Sequence, residues 1–411
     1  MPFAAAPVAL PAQERGTPGD SNWVVSLVTV GPGKVFASSW GHAAIMMARP
    51  GSTESLMFEY GVTPTGRAAT TAALRGRLRL RSVTRPTHLA MATWRKDGRW
   101  VAIQRLRMSG PERAALLDYF ATAQQRAPPT VAYEPRTTNC ATQLRDALDH
   151  ATHGALTRVG GSPRAGSMRQ LLFTHLASPA TVLIADALIN QIGDRPATQW
   201  DAAIFPDELA RLVDMAGLAT GPPELNGEVT SVGDNPANQY AATVAISVAM
   251  LIALWLLGRS GRQGHRAMQA ASGLLISAIG LVMGGLGTAI VFLELVTPYD
   301  FVQHNLNLLF VNPLWLALVP IGAGLAARAS WATRWLRRIV GVLACGVVLR
   351  LCAPLAGVTA QDDWHILLVA ISAIVGTYLG FARLPGIATS RVLHARTILQ
   401  LPDSPSNERA N

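Results

Sequence analysis

From residue 240 onward the chain consists of long runs without charge, and no other feature restricts its folding as strongly. Residues 240–257, 267–293 and 306–327 are free of Asp, Glu, Lys and Arg. At about 18 residues or more, each is long enough to cross a hydrocarbon layer of about 30 Å as a helix. Residues 339–358 are comparable but include Arg350, and 366–382 is the shortest, followed by Arg383. In lipid every backbone N–H and C=O must be satisfied within the segment, so five membrane helices are predicted. Before residue 238 the pattern is that of a water-soluble domain, which makes the 50% apolar composition an average over two unlike halves.

The net charge of +10 is carried by arginine, since Lys34 and Lys96 are the only lysines. Arg259, Arg262 and Arg266 follow the first span; Arg328, Arg334, Arg337 and Arg338 follow the third; Arg383, Arg391 and Arg396 follow the fifth. The intervening segments 294–305 and 357–365 hold acids but no Lys or Arg. The positive-inside rule therefore puts the soluble domain outside and the tail, 384–411, in the cytoplasm. The basic excess is assigned to a membrane surface, and nucleic acid is not expected as a partner.

Residues 1–20 read as disordered or as the remnant of a signal peptide, because the apolar stretch 4–10 is short and lacks a basic flank. The run 23–30 is β-branched and ends at Gly31-Pro32-Gly33, as a core strand does. Residues 41–47, closed by Pro50-Gly51, and 56–61 are further strand candidates. Arg75, Arg77, Arg79 and Arg81 alternate with Gly76, Leu78 and Leu80, which in a strand puts four guanidiniums on one face. Such a face is either a solvated edge or a surface resting on phospholipid headgroups. Residues 98–108 form another strand, and Ser109-Gly110-Pro111-Glu112 is a capping box opening a helix over 111–126. Helices are predicted at 167–192 and 206–217. The segment 221–238, rich in Pro, Gly and Asn, is a linker between a domain at 21–220 and a membrane domain at 239–383.

Chemistry concentrates at Cys140. Thr137, Thr138 and Asn139 lead into a helical pattern with Leu144, Ala147 and Leu148 on one face, so Cys140 falls in the first turn. There the unpaired N–H groups and the dipole favour a thiolate and offer donors to an oxyanion. The plain alternative is a small buried cysteine. Cys345 and Cys352 lie in an apolar run, and three cysteines build neither a zinc pattern nor a disulfide framework. No metal or cofactor is expected. His42, preceded by Gly41 at the head of an apolar segment, is the best available base, although a histidine there also serves as a core or capping residue. His88, His150, His153 and His175 are the other imidazoles of the soluble part. At the outer side of the membrane half, His304, Asn305 and Asn307 enter the third span, and Arg350 lies in the fourth. They either hold a lipid headgroup or a substrate amine, or cap a membrane helix and snorkel.

Gly41-His42-Ala43-Ala44, Phe58-Glu59-Tyr60-Gly61, Asn139-Cys140-Ala141-Thr142 with Arg145-Asp146, and Asp194-Arg195-Pro196 leading to Phe205-Pro206-Asp207-Glu208-Leu209 resemble the Lnb-type N-terminal periplasmic domain. The segment 304–313 resembles the membrane part of the same family. The resemblance covers residues 22–382 and rests on the order of the motifs with the attached spans. It implies an α+β, permuted papain-like (NlpC-like) extracytoplasmic domain, in which histidine precedes cysteine as in lecithin:retinol acyltransferase, followed by an all-α membrane domain of five transmembrane helices. It further implies a lipoprotein N-acyltransferase of the bacterial inner membrane. Such an enzyme moves an acyl chain from a phospholipid to the α-amine of a diacylglyceryl-cysteine lipoprotein. Cys140 would be the nucleophile, His42 the base and Tyr60 a supporting residue, and Asn139, beside the thiol, is a candidate substrate-binding residue. Glu59 departs from the family pattern, where asparagine is expected.

Two other functions fit a cysteine–histidine pair on a membrane anchor. With water as acceptor the same pair would make a cell-wall amidase or peptidase, or a phospholipase. With Cys140 purely structural, the chain would be a non-catalytic tethered module.

Overall fold

β1 (Val24–Val30) is buried from Val25 onward, as a strand must be when it has neighbours on both edges and helices on both faces. The fold is that of a computed structural model, which describes residues 23–381 apart from 34–37, 39, 52–53, 65, 177, 229–235 and 359–360. The expectations for residues 1–20 and for the tail 384–411 lie outside the described residues.

β2 (His42–Ala48), β3 (Ser55–Thr63), β4 (Arg79–Pro86), β5 (Val101–Arg105), β6 (Val131–Ala132) and β9 (Glu224–Asn226) join β1 in one antiparallel sheet, ordered β6-β4-β3-β2-β1-β5-β9. β7 (Pro163–Ser167) and β8 (Pro196–Thr198) form a separate pair. Between the strands lie α1 (Arg67–Leu74), α2 (Thr87–Lys96), α3 (Gly110–Gln125), α4 (Cys140–Ala151), α5 (Ala155–Gly160), α6 (Met168–Thr174), α7 (Pro179–Leu188), α8 (Gln199–Ala202) and α9 (Pro206–Met215). One sheet face packs Leu27, Ile45, Phe58 and Leu80 against Leu116 and Phe120 of α3 and Leu144 and Leu148 of α4. The other packs Val28, Ala44 and Met57 against Met91 and Trp94 of α2. This is an α+β domain.

Five apolar helical segments long enough to cross a membrane follow: Asn238–Arg262, Arg266–Val296, Leu306–Ala326, Ala332–Ala356 and Trp364–Phe381. They belong to α10 (Pro236–Arg262), α11 (Arg266–Val296), α12 (Leu318–Ala326), α13 (Ala332–Cys352) and α14 (Trp364–Phe381). Arg328 donates to the Gly264 carbonyl at 3.3 Å, so the arginine-bearing loops after the first and third spans share one end of the bundle. Asp300 and Gln361 contact the soluble domain at the other end.

Several expectations need correction. The predicted helix 167–192 is two helices, because Ser178 caps a new start with Pro179 in its first turn. The predicted linker contains β9, an edge strand on β5. Arg75 and Arg77 lie in the turn between α1 and β4, leaving Arg79 and Arg81 in the strand. The third span is not one helix: 3₁₀ turns at Leu306–Leu309 and Pro313–Ala317 precede α12. In α11, Gly287 lets the Asn312 backbone approach so closely that a Cβ would lie 2.5 Å from it.

Candidate active site

Asn139 is the N-cap of α4. Its Oδ1 accepts from the Thr142 N–H at 2.9 Å, and its own N–H donates to Thr142 Oγ1 at 2.8 Å. The amide nitrogen is spent on the carbonyls of Pro135 (2.9 Å) and Ile204 (3.1 Å). Asn139 thus fixes the helix start and has no donor left for substrate, which corrects its expected place as a binding residue. Cys140 follows as the first helical residue, half-buried, with its sulfur facing the N–H groups of Ala43 and Ala141.

His42 opens β2. Gly41 before it has φ +81°, and a Cβ there would come within 2.7 Å of the Val30 carbonyl, so the turn into β2 requires glycine. The β2–β3 ladder ends at Ala44–Glu59, whereas β3 stays paired with β4 through Thr63–Arg79. The ladder therefore leaves the Ala43 N–H free to face Cys140.

His42 hydrogen-bonds Cys140, and its Nε2 lies 2.8 Å from Glu59 Oε2. The other Glu59 oxygen is 2.5 Å from Arg85 Nε. The register Ala44–Glu59 and Met57–Arg85 puts His42, Glu59 and Arg85 diagonally along one face of three adjacent strands. Trp94 of α2 covers them, its ring 6.1 Å from the His42 ring and 5.5 Å from the Arg85 guanidinium carbon.

Electrostatics follow from this chain of four. Burial alone would push the His42 imidazole down, but the Cys140 sulfur and the Glu59 carboxylate overcome it and raise its pKa from 6.5 to about 10. Burial would push the Cys140 thiol up, but the His42 charge and hydrogen bond, with the N–H groups of Ala43 and Ala141, bring it below its ordinary value. Glu59, which burial would raise, is lowered by His42 and Arg85. The arrangement favours a thiolate–imidazolium pair over the neutral thiol and imidazole, backed by a carboxylate that is itself backed by a guanidinium.

The other expected site residues fall elsewhere. Tyr60 is on the opposite sheet face, 4% exposed, with its ring 6.5 Å from that of Phe120. It lines a cavity of about 270 Å³ with Ser82, Asp118, Tyr119, Arg126 and Gln143. Tyr133, half-buried and packed in the same cluster as Cys140, is a tyrosine on which that sulfur acts electrostatically, and sequence reasoning missed it. Arg99 was missed too; Cys140 and Glu59 both act on its charge. Glu59 carried one visible signal, an acid inside the apolar strand 56–60. Among the other imidazoles, His175 is held by Asp207 at 3.0 Å and His150 packs on Tyr119.

Asn305, Asn307 and Arg350 belong to the junction between the two parts of the chain. Asn305 donates to the carbonyls of Ala187 and Leu188, and Asn307 to those of Asp186 and Ala187. Arg350 is bidentate on Asp363, at 2.7 and 3.0 Å, and also reaches the Gln361 carbonyl. Arg169, 1% exposed, holds Asp186 at 2.9 Å and Asp194 at 2.6 Å. The second Asp186 oxygen accepts from the Ile366 N–H, at the start of α14. These side chains join α7 to the helix ends on that side of the bundle, so of the two expectations for them the structural one, capping and pairing, describes Asn305, Asn307 and Arg350, which form a structural lock. His304 is exposed, with φ 54°. Arg136, four residues before Cys140, is ion-paired with Asp300 at 2.5 Å, which ties the approach to the thiol to the loop after α11.

Residues 19–173 match the Lnb N-terminal periplasmic domain. Over these residues the chain is similar to that family. Comparison with curated proteins and with solved structures returns no match. The matched stretch contains Cys140, His42, Glu59 and Arg85 and ends within α6, after the first partner in the lock, Arg169.

Proposed function

We propose that the chain is a lipoprotein N-acyltransferase of the bacterial inner membrane, with the Lnb N-terminal domain on the periplasmic side. The observation that carries this reading is the Cys140–His42–Glu59 array joined through Arg136–Asp300 to one end of a bundle of five apolar helical segments long enough to span a membrane. A preformed thiolate is suited to ester carbonyls, and both a phospholipid and a lipid-modified amine are presented at that surface. Histidine preceding cysteine along the chain agrees with a permuted papain-like order.

In this mechanism the Cys140 thiolate attacks the phospholipid ester carbon, and the oxyanion takes N–H groups from the first turn of α4. The C–O bond then breaks, His42 gives its proton to the departing glycerol oxygen, and the acyl chain remains on Cys140 as a thioester. The lysophospholipid leaves. The α-amine of the diacylglyceryl-cysteine attacks the thioester carbonyl, His42 accepts the amine proton, and the C–S bond breaks to regenerate the thiolate and leave an amide. Glu59 holds the imidazole in position and stabilises its charge throughout.

Mass spectrometry of lipoprotein N-terminal peptides tests this in a strain that depends on the chain. Cys140→Ser and His42→Ala should each remove the amide-linked acyl chain. Lipoproteins that stay triacylated in Cys140→Ser would refute the mechanism, and fatty acid released to water without amide formation would make the chain a hydrolase.

A further inference from the structure

The arginines from Arg75 to Arg81 take no part in the lock or in the Cys140 array. Arg75, Arg77, Arg79 and Arg81 are all exposed, and among the described residues none is ion-paired with a carboxylate. Arg79 is held to Thr130, at 2.6 Å to Oγ1 and 3.0 Å to the carbonyl, so the free guanidiniums are Arg75, Arg77 and Arg81.

Two contacts fix where this stripe begins. Gly76, between Arg75 and Arg77, lies directly against Pro298, two residues beyond the end of α11. One turn earlier in α1, the Ala73 carbonyl accepts from Tyr299 Oη at 3.1 Å. Arg75 and Arg77 therefore stand at the level where a membrane helix leaves the hydrocarbon, the depth of phospholipid phosphates. Leu74 beside them is 46% exposed, although it is apolar.

The register fixes where the stripe ends. Arg81 is paired with Gly61, and extending the Ala44–Glu59 register by two residues puts Gly61 abreast of His42. Arg81 and His42 lie on the same sheet face, that of Glu59 and Arg85, with only a glycine between them. A Cβ on Gly61 would meet nothing nearer than Val83 Cγ2 at 4.0 Å, so the floor is open. With strands about 4.8 Å apart, the backbones of Arg81 and His42 are separated by about 10 Å. At about 3.3 Å per residue for fully extended chain, Arg77 to Arg81 spans at most about 13 Å, which carries the stripe from the turn at Pro298 to the level of the imidazole.

We infer that this stripe is the phosphate track of the acyl donor: Arg75 and Arg77 collect a glycerophospholipid at the membrane surface, and Arg81 holds its phosphate across Gly61 while an ester carbonyl reaches Cys140. The inference rests on the acyl-transfer reading. It deepens that reading by making Arg81 a specificity-determining residue for donors that carry a phosphate. Charge complementarity selects the occupant, since a guanidinium binds a phosphate through paired N–H donors and this end of the stripe offers no competing acid. Glu59 on the same face is already occupied by His42 and Arg85.

The test uses the full chain in uncharged maltoside micelles, with phosphatidylglycerol or diacylglycerol of identical chains as donor. Acylation of Cys140 is followed by intact-mass spectrometry. The native chain should take the acyl group faster from phosphatidylglycerol, Arg81→Gln should lose at least tenfold of that preference, and Arg81→Lys should keep most of it. An unchanged preference in Arg81→Gln, or equal slowing with both donors, overturns the track. If the native chain is acylated by neither donor, the acyl-transfer reading fails, and the track is judged by binding alone. Fluorescent phosphatidylglycerol should then bind the Cys140→Ala chain and be released by Arg77→Gln with Arg81→Gln; retention with undiminished affinity overturns it.

Discussion

Glu59→Gln isolates what the carboxylate contributes to the thiolate–imidazolium pair. Glutamine keeps the shape and an acceptor oxygen within reach of His42 Nε2, now 2.8 Å from Glu59 Oε2, but it removes the charge. A hydrogen bond to a charged group is worth about 1.5–3 kcal/mol and a neutral one about 0.5–1.5 kcal/mol, so the loss is on the order of 1–2 kcal/mol. At 1.36 kcal/mol per pKa unit that is about one unit. Arg85, 2.5 Å from the other Glu59 oxygen, loses its counter-ion and pushes the imidazolium the same way. The two effects together should lower His42 from about 10 by roughly one to two units. Because the folded pKa is raised, the imidazolium persists below it and is lost as pH rises through it. The alkaline limit of acyl transfer, set by the proton His42 gives to the leaving oxygen, should move down by the same amount.

Carbamidomethylation of Cys140 against pH, on the full chain in detergent, reads this without any substrate. The native chain should show a plateau from the ion-paired thiolate and a second inflection near the His42 value. In Glu59→Gln the second inflection should shift down and the plateau should narrow. An alkylation profile superimposable on the native one would refute the claim that Glu59 governs the imidazole, and Arg85 would then have to act on the site by another route.

Asp363→Asn leaves the Arg350 guanidinium, 5% exposed, without its bidentate partner, and loss of one member of a buried pair costs about 3–5 kcal/mol. The midpoint of thermal unfolding in detergent should drop sharply, and Arg350→Met with Asp363→Met should recover most of it. Gly287→Ala should destabilise the bundle, because its Cβ meets the Asn312 backbone, whereas Gly285→Ala meets nothing within 4 Å and should gain about 1 kcal/mol of helix propensity. The same melting assay separates the two glycines. Tyr60→Phe should leave the rate and pH profile of Cys140 alkylation unchanged, since Tyr60 faces the α3 side of the sheet; an altered profile would bring that hydroxyl back to the thiol.

The membrane spans were legible because crossing hydrocarbon demands a run of fixed length, and few soluble segments imitate it. Cys140 was legible because Asn139 marks a helix start, and His42 because Gly41 announces a constrained turn. α1 and α2 were not, since Gly66 and Pro86 precede them and neither makes a side-chain cap. Glu59 showed only as an acid in an apolar strand; its meaning depends on strands two and four lying on either side of it, which periodicity does not state. Asn305 and Asn307 show the same limit from the other direction. A polar cluster at the mouth of a span looks identical from sequence whether it awaits a ligand or meets carbonyls of its own chain. Here the carbonyls belong to Asp186, Ala187 and Leu188, more than 100 residues away, where α7 ends against the bundle. The lock has a physical reason for being polar. The last turn of α7 presents unpaired carbonyls and the first turn of α14 unpaired N–H groups, and burying either without partners would be costly. Asparagines answer the carbonyls and Asp186 answers Ile366, so the contact that seats the domain on the bundle also closes two helix ends. Under the proposed acyl transfer the thiol meets substrates in a leaflet and needs a fixed height above it, and this junction, with Arg136–Asp300 beside the site, fixes the domain on the bundle.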